Sequence, residues 1–224
     1  RYGAKIRTDE MAHDSALRLL MATVARTAAT HDRCIIPLLS SWDSHHIRVS
    51  VKVHRSIQAA NALEEQLGWR VAKPTSEELQ ASCEAGLHPQ GSEGSQPFCL
   101  LPYSHPVRRN DRRISGPLWT GPLFDQDVLE AMTVERATEL CGEDAEVAVR
   151  HWVGEAELAS VPTLIITDML PKFCEVTGPP KMADLVAGLK DAGYKAAVAR
   201  WGAPAIRTDA PWPVVLEVTE GCFN

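Results

Sequence analysis

Residues 8–72 carry the clearest alternations of apolar and polar positions in the chain. Thr8-Asp9-Glu10 sets a capping hydroxyl and two acids ahead of Leu17, Leu20, Met21, Val24 and Ala28. That spacing predicts a helix with one apolar stripe, its first turn favoured by acids beside the exposed amides and the positive dipole end. The nearly all-apolar run Cys34-Ile-Ile-Pro-Leu-Leu39 predicts a short strand. After a turn at Ser41-Trp42-Asp43-Ser44, residues Ile47, Val49, Val51 and Val53 alternate with Arg48, Ser50 and Lys52. A strict period of two predicts a strand with one buried and one wet face. Ile57, Ala60, Leu63 and Leu67 return to helical spacing, stopped by Gly68. Two strands joined by a turn and flanked by helices have the pattern of the closing portion of an α/β sheet. Alone, such a portion exposes an edge and a face, so more sheet is expected on its N-terminal side.

From residue 73 the pattern is mixed. A polar helix is expected over 75–85, a Gly/Ser/Gln loop over 86–97, and a short strand at Phe98-Cys-Leu-Leu101. Residues 125–140 and 143–158 read as two helices parted by Cys141-Gly142. The tail, 161–224, opens with a strand at Leu164-Ile-Ile166 and a small helix capped by Thr167. A stronger helix follows Pro179-Pro180, carries Met182, Leu185, Val186 and Leu189, and ends near Gly193. Strand-like residues 194–201, a turn at Gly202-Ala-Pro204, a strand to Arg207 and the cap Asp209-Ala-Pro211 complete it. Helix, helix and a two-stranded ribbon is the order of a winged helix-turn-helix. The chain is thus expected to divide into an α/β region, 1–72, and an α+β region, 73–224, with a winged-helix-like unit over 161–224.

Residues 114–125 read Ile-Ser-Gly-Pro-Leu-Trp-Thr-Gly-Pro-Leu-Phe-Asp, two Gly-Pro-Leu steps around Trp119. Glycine permits close approaches and proline removes an amide donor, so this element is expected to be a rigid turn with exposed backbone rather than helix or central strand. It follows the most basic stretch, 105–113, where Arg108, Arg109, Arg112 and Arg113 stand with the single acid Asp111. Guanidinium forks match phosphate oxygens; the plain alternative is a solvated loop. In the tail, Lys190, Lys195, Arg200 and Arg207 gather around the expected ribbon, and Trp201 suits either base stacking or the ribbon's core.

Composition narrows the partners. A length of 224 residues, 45% of them hydrophobic, is globular and makes one large or two small domains. The net charge of −6 argues against a protein that coats nucleic acid nonspecifically, but allows a local basic face. No run approaches the ~18 apolar residues of a membrane span, and no leading segment reads as a signal peptide, so a soluble, cytoplasmic chain is expected. Starting at Arg1-Tyr2-Gly3 without Met, the chain reads as cut from a longer one. Its six cysteines are scattered, which favours buried thiols over disulfides. Cys83, His88, Cys99 and His105 are a weak zinc candidate, their gaps of five, eleven and six positions being far from close-paired ligands. His45-His46 reads as a solvated pair, and Gly-rich phosphate loops, His-Glu-x-x-His and Gly-x-Ser-x-Gly are all missing.

Taken in order, Arg1-Tyr-Gly3 with Ile36-Pro-Leu-Leu-Ser40, then Ser115-Gly-Pro-Leu-Trp-Thr-Gly-Pro-Leu-Phe-Asp125, then Gly193-Tyr-Lys-Ala196 with Ile206-Arg-Thr-Asp-Ala-Pro211 resemble the tRNA guanine-26 N2-dimethyltransferase family. The resemblance implies an S-adenosyl-L-methionine-dependent enzyme that methylates the exocyclic N2 of one guanine in tRNA, once or twice. It implies that residues 1–72 end a Rossmann-like class I methyltransferase domain and that 73–224 form the family's C-terminal tRNA-holding domain. The cofactor loop and the Asp-Pro motif of catalysis would then lie before Arg1. No catalytic or cofactor-binding residue is therefore assigned, and the chain alone is expected to be inactive. The expected RNA contacts are Arg108, Arg109, Arg112 and Arg113, with Lys195, Arg200 and Arg207 as a second patch. Where family members carry two Cys-x-x-Cys-like pairs this chain has only Cys83 and Cys99, and Arg200-Trp201 replaces the more usual Thr-His. The rival readings are a stand-alone RNA-binding module and a winged-helix DNA-binding protein.

Overall fold

A computed structural model describes residues 2–43, 46–108, 110–199 and 203–223. The first helix, α1, spans Ala12–Ala29 and so begins after the expected Thr8-Asp9-Glu10 cap. Asp9 still organises its start: its carbonyl accepts from the Ala12 N–H at 2.9 Å and its Oδ1 from the Met11 N–H at 3.0 Å. The buried stripe is also turned from the expected one. Leu17 and Met21 are in the core with Ala22 and Ala25, whereas Leu20 is on the surface and Asp14, Ser15 and Arg18 are buried. The cause is an ion pair inside the core, Arg18 Nε to Asp14 Oδ2 at 2.8 Å. A periodicity reading counts both groups as outward-facing.

Strands β1 (Arg33–Asp43) and β2 (His46–Arg55) form an antiparallel ribbon paired from Arg33 with Arg55 to Asp43 with His46. Residues 41–43, expected as turn, are therefore still strand, and Ser44 and His45 lie outside the described residues. Ile47, Val49 and Val51 are half-buried as the alternation predicts. Past the bulge between Pro37 and Leu39 the pattern fails, and Val53 is exposed, as is Ile36 on β1.

The expected helix over 57–67 stops early. It becomes α2 (Ile57–Asn61), capped by Ser56, and a 3-10 turn at Leu63–Gln66, because Leu67 already belongs to strand β3 (Leu67–Ala72). Gly68 is not a helix stop but a point of close approach: a Cβ there would strike the Leu101 carbonyl and lie 2.6 Å from Thr120 Cγ2. Helix α3 (Ser76–Glu84) follows the sequence closely, with Thr75 and Glu78 forming a reciprocal capping box. Strands β4 (Phe98–Pro102) and β5 (Ile114–Trp119) then flank β3 in an antiparallel sheet of order β4-β3-β5.

Two expectations change here. The first Gly-Pro step is not a turn with exposed backbone but part of β5, with Ile114, Ser115, Gly116, Leu118 and Trp119 buried. Proline is tolerated because β5 is an edge strand and its pairing with β3 shifts register between Gly68 and Arg70. The expected boundary after residue 72 falls at the end of β3, whose two sheet neighbours both lie beyond it. The two expected regions therefore share one sheet.

The helix expected over 125–140 is broken into α4 (Gln126–Glu130), capped by Asp125, and α5 (Val134–Cys141), capped by Thr133. Helix α6 (Glu143–Glu155) runs on into a 3-10 turn at Ala156–Leu158. The tail holds β6 (Ile165–Ile166), a 3-10 turn at Thr167–Lys172, α7 (Met182–Asp191), β7 (Ala196–Val198), β8 (Ala205–Thr208) and α8 (Trp212–Gly221). The ribbon β7-β8 is present, but β6 extends it to a sheet of order β6-β8-β7 and α8 adds a closing helix. Trp212 ties this tail to the 86–97 loop, its backbone N–H donating to Ser92 Oγ at 3.1 Å and its indole N–H to the Ser95 carbonyl at 2.9 Å. The architecture is α/β with small antiparallel sheets, and no described helix is long and apolar enough to cross a membrane.

The Arg18 guanidinium also donates to the Trp119 carbonyl at 3.1 Å and to that of Pro162, so it joins α1, the end of β5 and the entry to the tail. Arg18→Leu leaves Asp14 buried without its partner and is expected to cost about 3–5 kcal/mol, whereas Asp14→Leu with Arg18→Leu should recover part of the loss. Urea unfolding of both variants measures this; a loss below ~1 kcal/mol for the single variant contradicts it.

Candidate nucleic-acid interface

The loop between β4 and β5 carries the predicted arginines, and it treats them differently. Arg108 and Arg112 are exposed and form no ion pair with a described residue, while Arg109 lies outside the described residues. Arg113 is engaged on several sides. It donates to both oxygens of Glu78 at 2.8 and 2.9 Å, to Asp111 at 2.8 Å and to the Lys73 carbonyl at 3.3 Å. Burial opposes the charge on Glu78, but hydrogen bonds from Arg113 and the Thr75 N–H outweigh it and hold the carboxyl below its ordinary value. Asp111 is likewise lowered, first by the Arg113 backbone N–H and then by its side chain. Arg113 therefore clamps the loop to α3.

Of the second predicted patch, Arg207 is withdrawn into the core, 3% exposed. Its Nε meets Glu155 Oε2 at 3.2 Å, its Nη1 donates to the carbonyls of Val161 at 2.7 Å and Thr163 at 3.2 Å, and it sits 5.3 Å from the centre of the Phe124 ring. A guanidinium so committed is unable to reach a phosphate without leaving the core. Lys195 is exposed, and its backbone anchors the ribbon through Asp209 Oδ1 at 2.8 Å and Thr208 Oγ1 at 2.7 Å. Arg200 and Trp201 lie outside the described residues.

The fold adds cations that the sequence did not single out. Lys5 pairs by its backbone with Gly116, N–H to carbonyl at 3.0 Å one way and 2.8 Å the other. Gly116 accepts this pairing at φ +139°, where a Cβ would lie 2.9 Å from the Gly68 carbonyl oxygen and 3.0 Å from Trp69 Cε3. The Gly-Pro step thus lies between β3 and the residues before α1. Lys5, Arg26 of α1 and Arg108 come to line one open cleft together with Gly116, Pro117, Trp69 and Tyr103. These residues span some hundred positions of chain and no local motif links them; only the β3–β5 pairing and the Lys5–Gly116 bridge collect them.

Burial governs three of the four weak zinc candidates. Cys99 is buried, and that burial pushes its thiol up to about 12; burial also raises Cys83, whose Sγ faces the Pro89 carbonyl at 3.4 Å. Burial brings His88 down to about 4. Among the described residues no group of three or more His, Cys, Asp or Glu is placed to hold a metal ion.

A profile of the N2,N2-dimethylguanosine tRNA methyltransferase family matches residues 1–220. The chain is 32% identical over 208 residues to the tRNA (guanine(26)-N(2))-dimethyltransferase of Aeropyrum pernix, covering 91% of this chain and 47% of that protein. It is 27% identical to the Schizosaccharomyces pombe enzyme of the same name, covering 97% and 41%. The solved complex of Trm1 from Pyrococcus horikoshii with S-adenosyl-L-methionine shares the fold at a TM-score of 0.72 and 22% identity, over 97% of this chain and 52% of that one. The chain thus spans about half the length of the curated relatives it matches.

Two outcomes follow from the geometry. With its folded value below the ordinary 4.5, Glu78 contributes stability that is complete above that value and disappears as pH falls through the lower one. Arg113→Ala should therefore destabilise the chain near neutral pH and lose that effect in acid; equal losses at both pH values in denaturant titrations contradict the clamp. In native labelling with an aryl disulfide, exposed Cys141 should react readily and Cys99 only on unfolding, and equal rates would contradict the burial described.

Proposed function

This chain belongs to the N2,N2-dimethylguanosine tRNA methyltransferase family, and we propose that its part in such an enzyme is to hold tRNA. The whole protein's proposed reaction is transfer of one or two methyl groups from S-adenosyl-L-methionine to the exocyclic N2 of guanine 26. The relatives bear that activity in their names, and roughly half of their length lies outside the matched region. The cofactor seat is assigned to that other half. The pocket beside His88 and Trp212 leaves only about 30 Å³ of free space, room for a water or two. The cleft lined by Lys5 and Arg108 has, among the described residues, no carboxylate lining it to hold a ribose.

The observation that carries the tRNA reading is the pairing of free and committed arginines on one loop. Arg113 fixes the loop against α3, while Arg108 and Arg112 stand exposed on it. A stiffened loop presents its charges to phosphates with less ordering entropy to lose. Arg108, Arg109 and Arg112 are the proposed phosphate contacts, with Arg113 as their brace. Lys195 and Arg200 are the proposed second contact on the winged-helix-like tail, and Arg207 supports that tail from inside. In this division of labour 1–72 closes the methyltransferase domain and 73–224 supplies most of the RNA-holding surface, the two joined through β3. The exposed Ile36 and Val53 on the β1–β2 ribbon favour this over a stand-alone module, since they leave apolar surface for further structure. The proposed setting is cytoplasmic, with tRNA and no membrane as partner.

Phosphate contacts set position without reading sequence and weaken with salt. Arg108→Glu with Arg112→Glu should weaken tRNA binding and lower the slope of log affinity against log salt by about 0.7–0.9 for each phosphate no longer neutralised. Fluorescence anisotropy with a tRNA transcript measures both. Unchanged affinity and slope would overturn the assignment. Given S-adenosyl-L-methionine and tRNA, the chain alone should incorporate no labelled methyl group, and turnover would show that the cofactor seat lies within it.

A further inference from the structure

We propose that the cleft between the residues before α1, α1 itself and the first half of the β4–β5 loop takes one unstacked nucleotide of the RNA. Lys5, Arg26 and Arg108 would meet its phosphates, and the Trp69–Tyr103 pair would meet its base. The inference rests on the tRNA reading above and gives that reading a specific seat. The cleft offers about 450 Å³, within the roughly 300–1,000 Å³ of small-molecule sites.

Its charge is the first support. The chain carries a net −6, yet among the described residues three cations and no carboxylate line this cleft. Arg7, Arg18, Arg70, Arg113 and Arg207 each lie within 3.2 Å of an aspartate or glutamate. Arg26 differs, because its guanidinium is held, among the described residues, by the carbonyls of Tyr2 at 2.8 Å and Ala22 at 3.3 Å. Those bonds orient it without neutralising it. Lys5 lies within electrostatic reach of Asp111 on the neighbouring loop, but no acid lines the cleft itself, and its three cations together attract an anion.

The aromatic pair is the second support, and it selects the kind of anion. Trp69 and Tyr103 are nearly parallel, 11° apart with ring centres 5.6 Å distant, and the indole N–H donates to the Tyr103 carbonyl at 3.3 Å. Both rings are only half-buried. A rigid pair of flat rings beside cations suits an extruded base with its sugar-phosphate, because unpaired bases stack on aromatic side chains while cations hold the backbone. An inorganic anion or an acidic peptide would use the cations and leave the rings idle.

The test uses the whole chain and two probes, a labelled tRNA transcript and a short oligouridine. Lys5→Ala keeps the backbone bridge to Gly116 and should lower the salt slope by about 0.7–0.9. Tyr103→Ala should weaken both probes about five- to one-hundred-fold with the slope unchanged, and Tyr103→Phe should retain binding. If Tyr103→Ala does not fold, as judged by thermal unfolding, the Lys5→Ala slope and the Tyr103→Phe affinity decide. Should Lys5→Ala and Tyr103→Ala bind tRNA as the parent does while Arg112→Glu weakens it, the cleft is wrong and the tRNA reading stands. Should the parent chain bind oligouridine through Tyr103 but ignore tRNA, the cleft stands and the tRNA reading falls. Binding of neither probe overturns both.

Discussion

Arg18 is where the fold is tied together. Its guanidinium is fully buried, and it reaches Asp14 on its own helix, the Trp119 carbonyl at the end of β5 and the Pro162 carbonyl at the entry to the tail. A buried charge is costly unless its donors are satisfied, so these three partners have to be present together. That requirement fixes the direction of α1 over the β4-β3-β5 sheet and the point at which the tail departs. Hydrophobic packing supplies most of the driving force, but it is non-directional; the planar fork of Arg18 supplies the angles.

Arg70 repeats the device on the other side of β5. It meets Asp9 Oδ2 at 3.0 Å and Ser115 Oγ at 3.2 Å, and Ser115 Oγ also accepts the Arg7 N–H at 2.9 Å. The Ser-Gly-Pro-Leu-Trp run therefore works as a set of acceptors for buried arginines, one at each end, with Gly116 between them taking the Lys5 backbone. Arg207 does the same for the tail through Glu155 and the carbonyls near residue 162. Internal commitments of this kind decide which cations remain for a partner. Among the cations without an ion pair to a described residue, Lys5, Arg26 and Arg108 share one cleft on an acidic chain, where local potential rather than net charge governs attraction.

Much of the local structure was legible. Helix α3, β4, α6, α7 and the β7–β8 ribbon sit close to where the sequence pattern put them. Local rules suffice where a cap or a period of two is decided by near neighbours. They misplace the α1 stripe, because Asp14 and Arg18 look solvent-facing until a partner carbonyl is brought to them. They misjudge the Gly-Pro step for the same reason: its backbone is satisfied by β3 and Lys5, both far away in sequence. Arg207, read as a surface contact, is the clearest case, since nothing near it in the chain announces Glu155.

The amino-acid sequence alone determined the family resemblance, many of the helices and strands though not β3, β5 or α8, and the existence of one arginine-rich loop beside a Gly-Pro element. Those depend on residue identity and short-range spacing. Only the tertiary structure decided which arginines are structural and which are free, that β3 binds the two expected regions into one sheet, and that Lys5, Arg26, Trp69 and Tyr103 share a cleft with Arg108. Each of these turns on strand pairing and burial between residues tens of positions apart, and a guanidinium's role is set by whichever oxygen the fold places beside it.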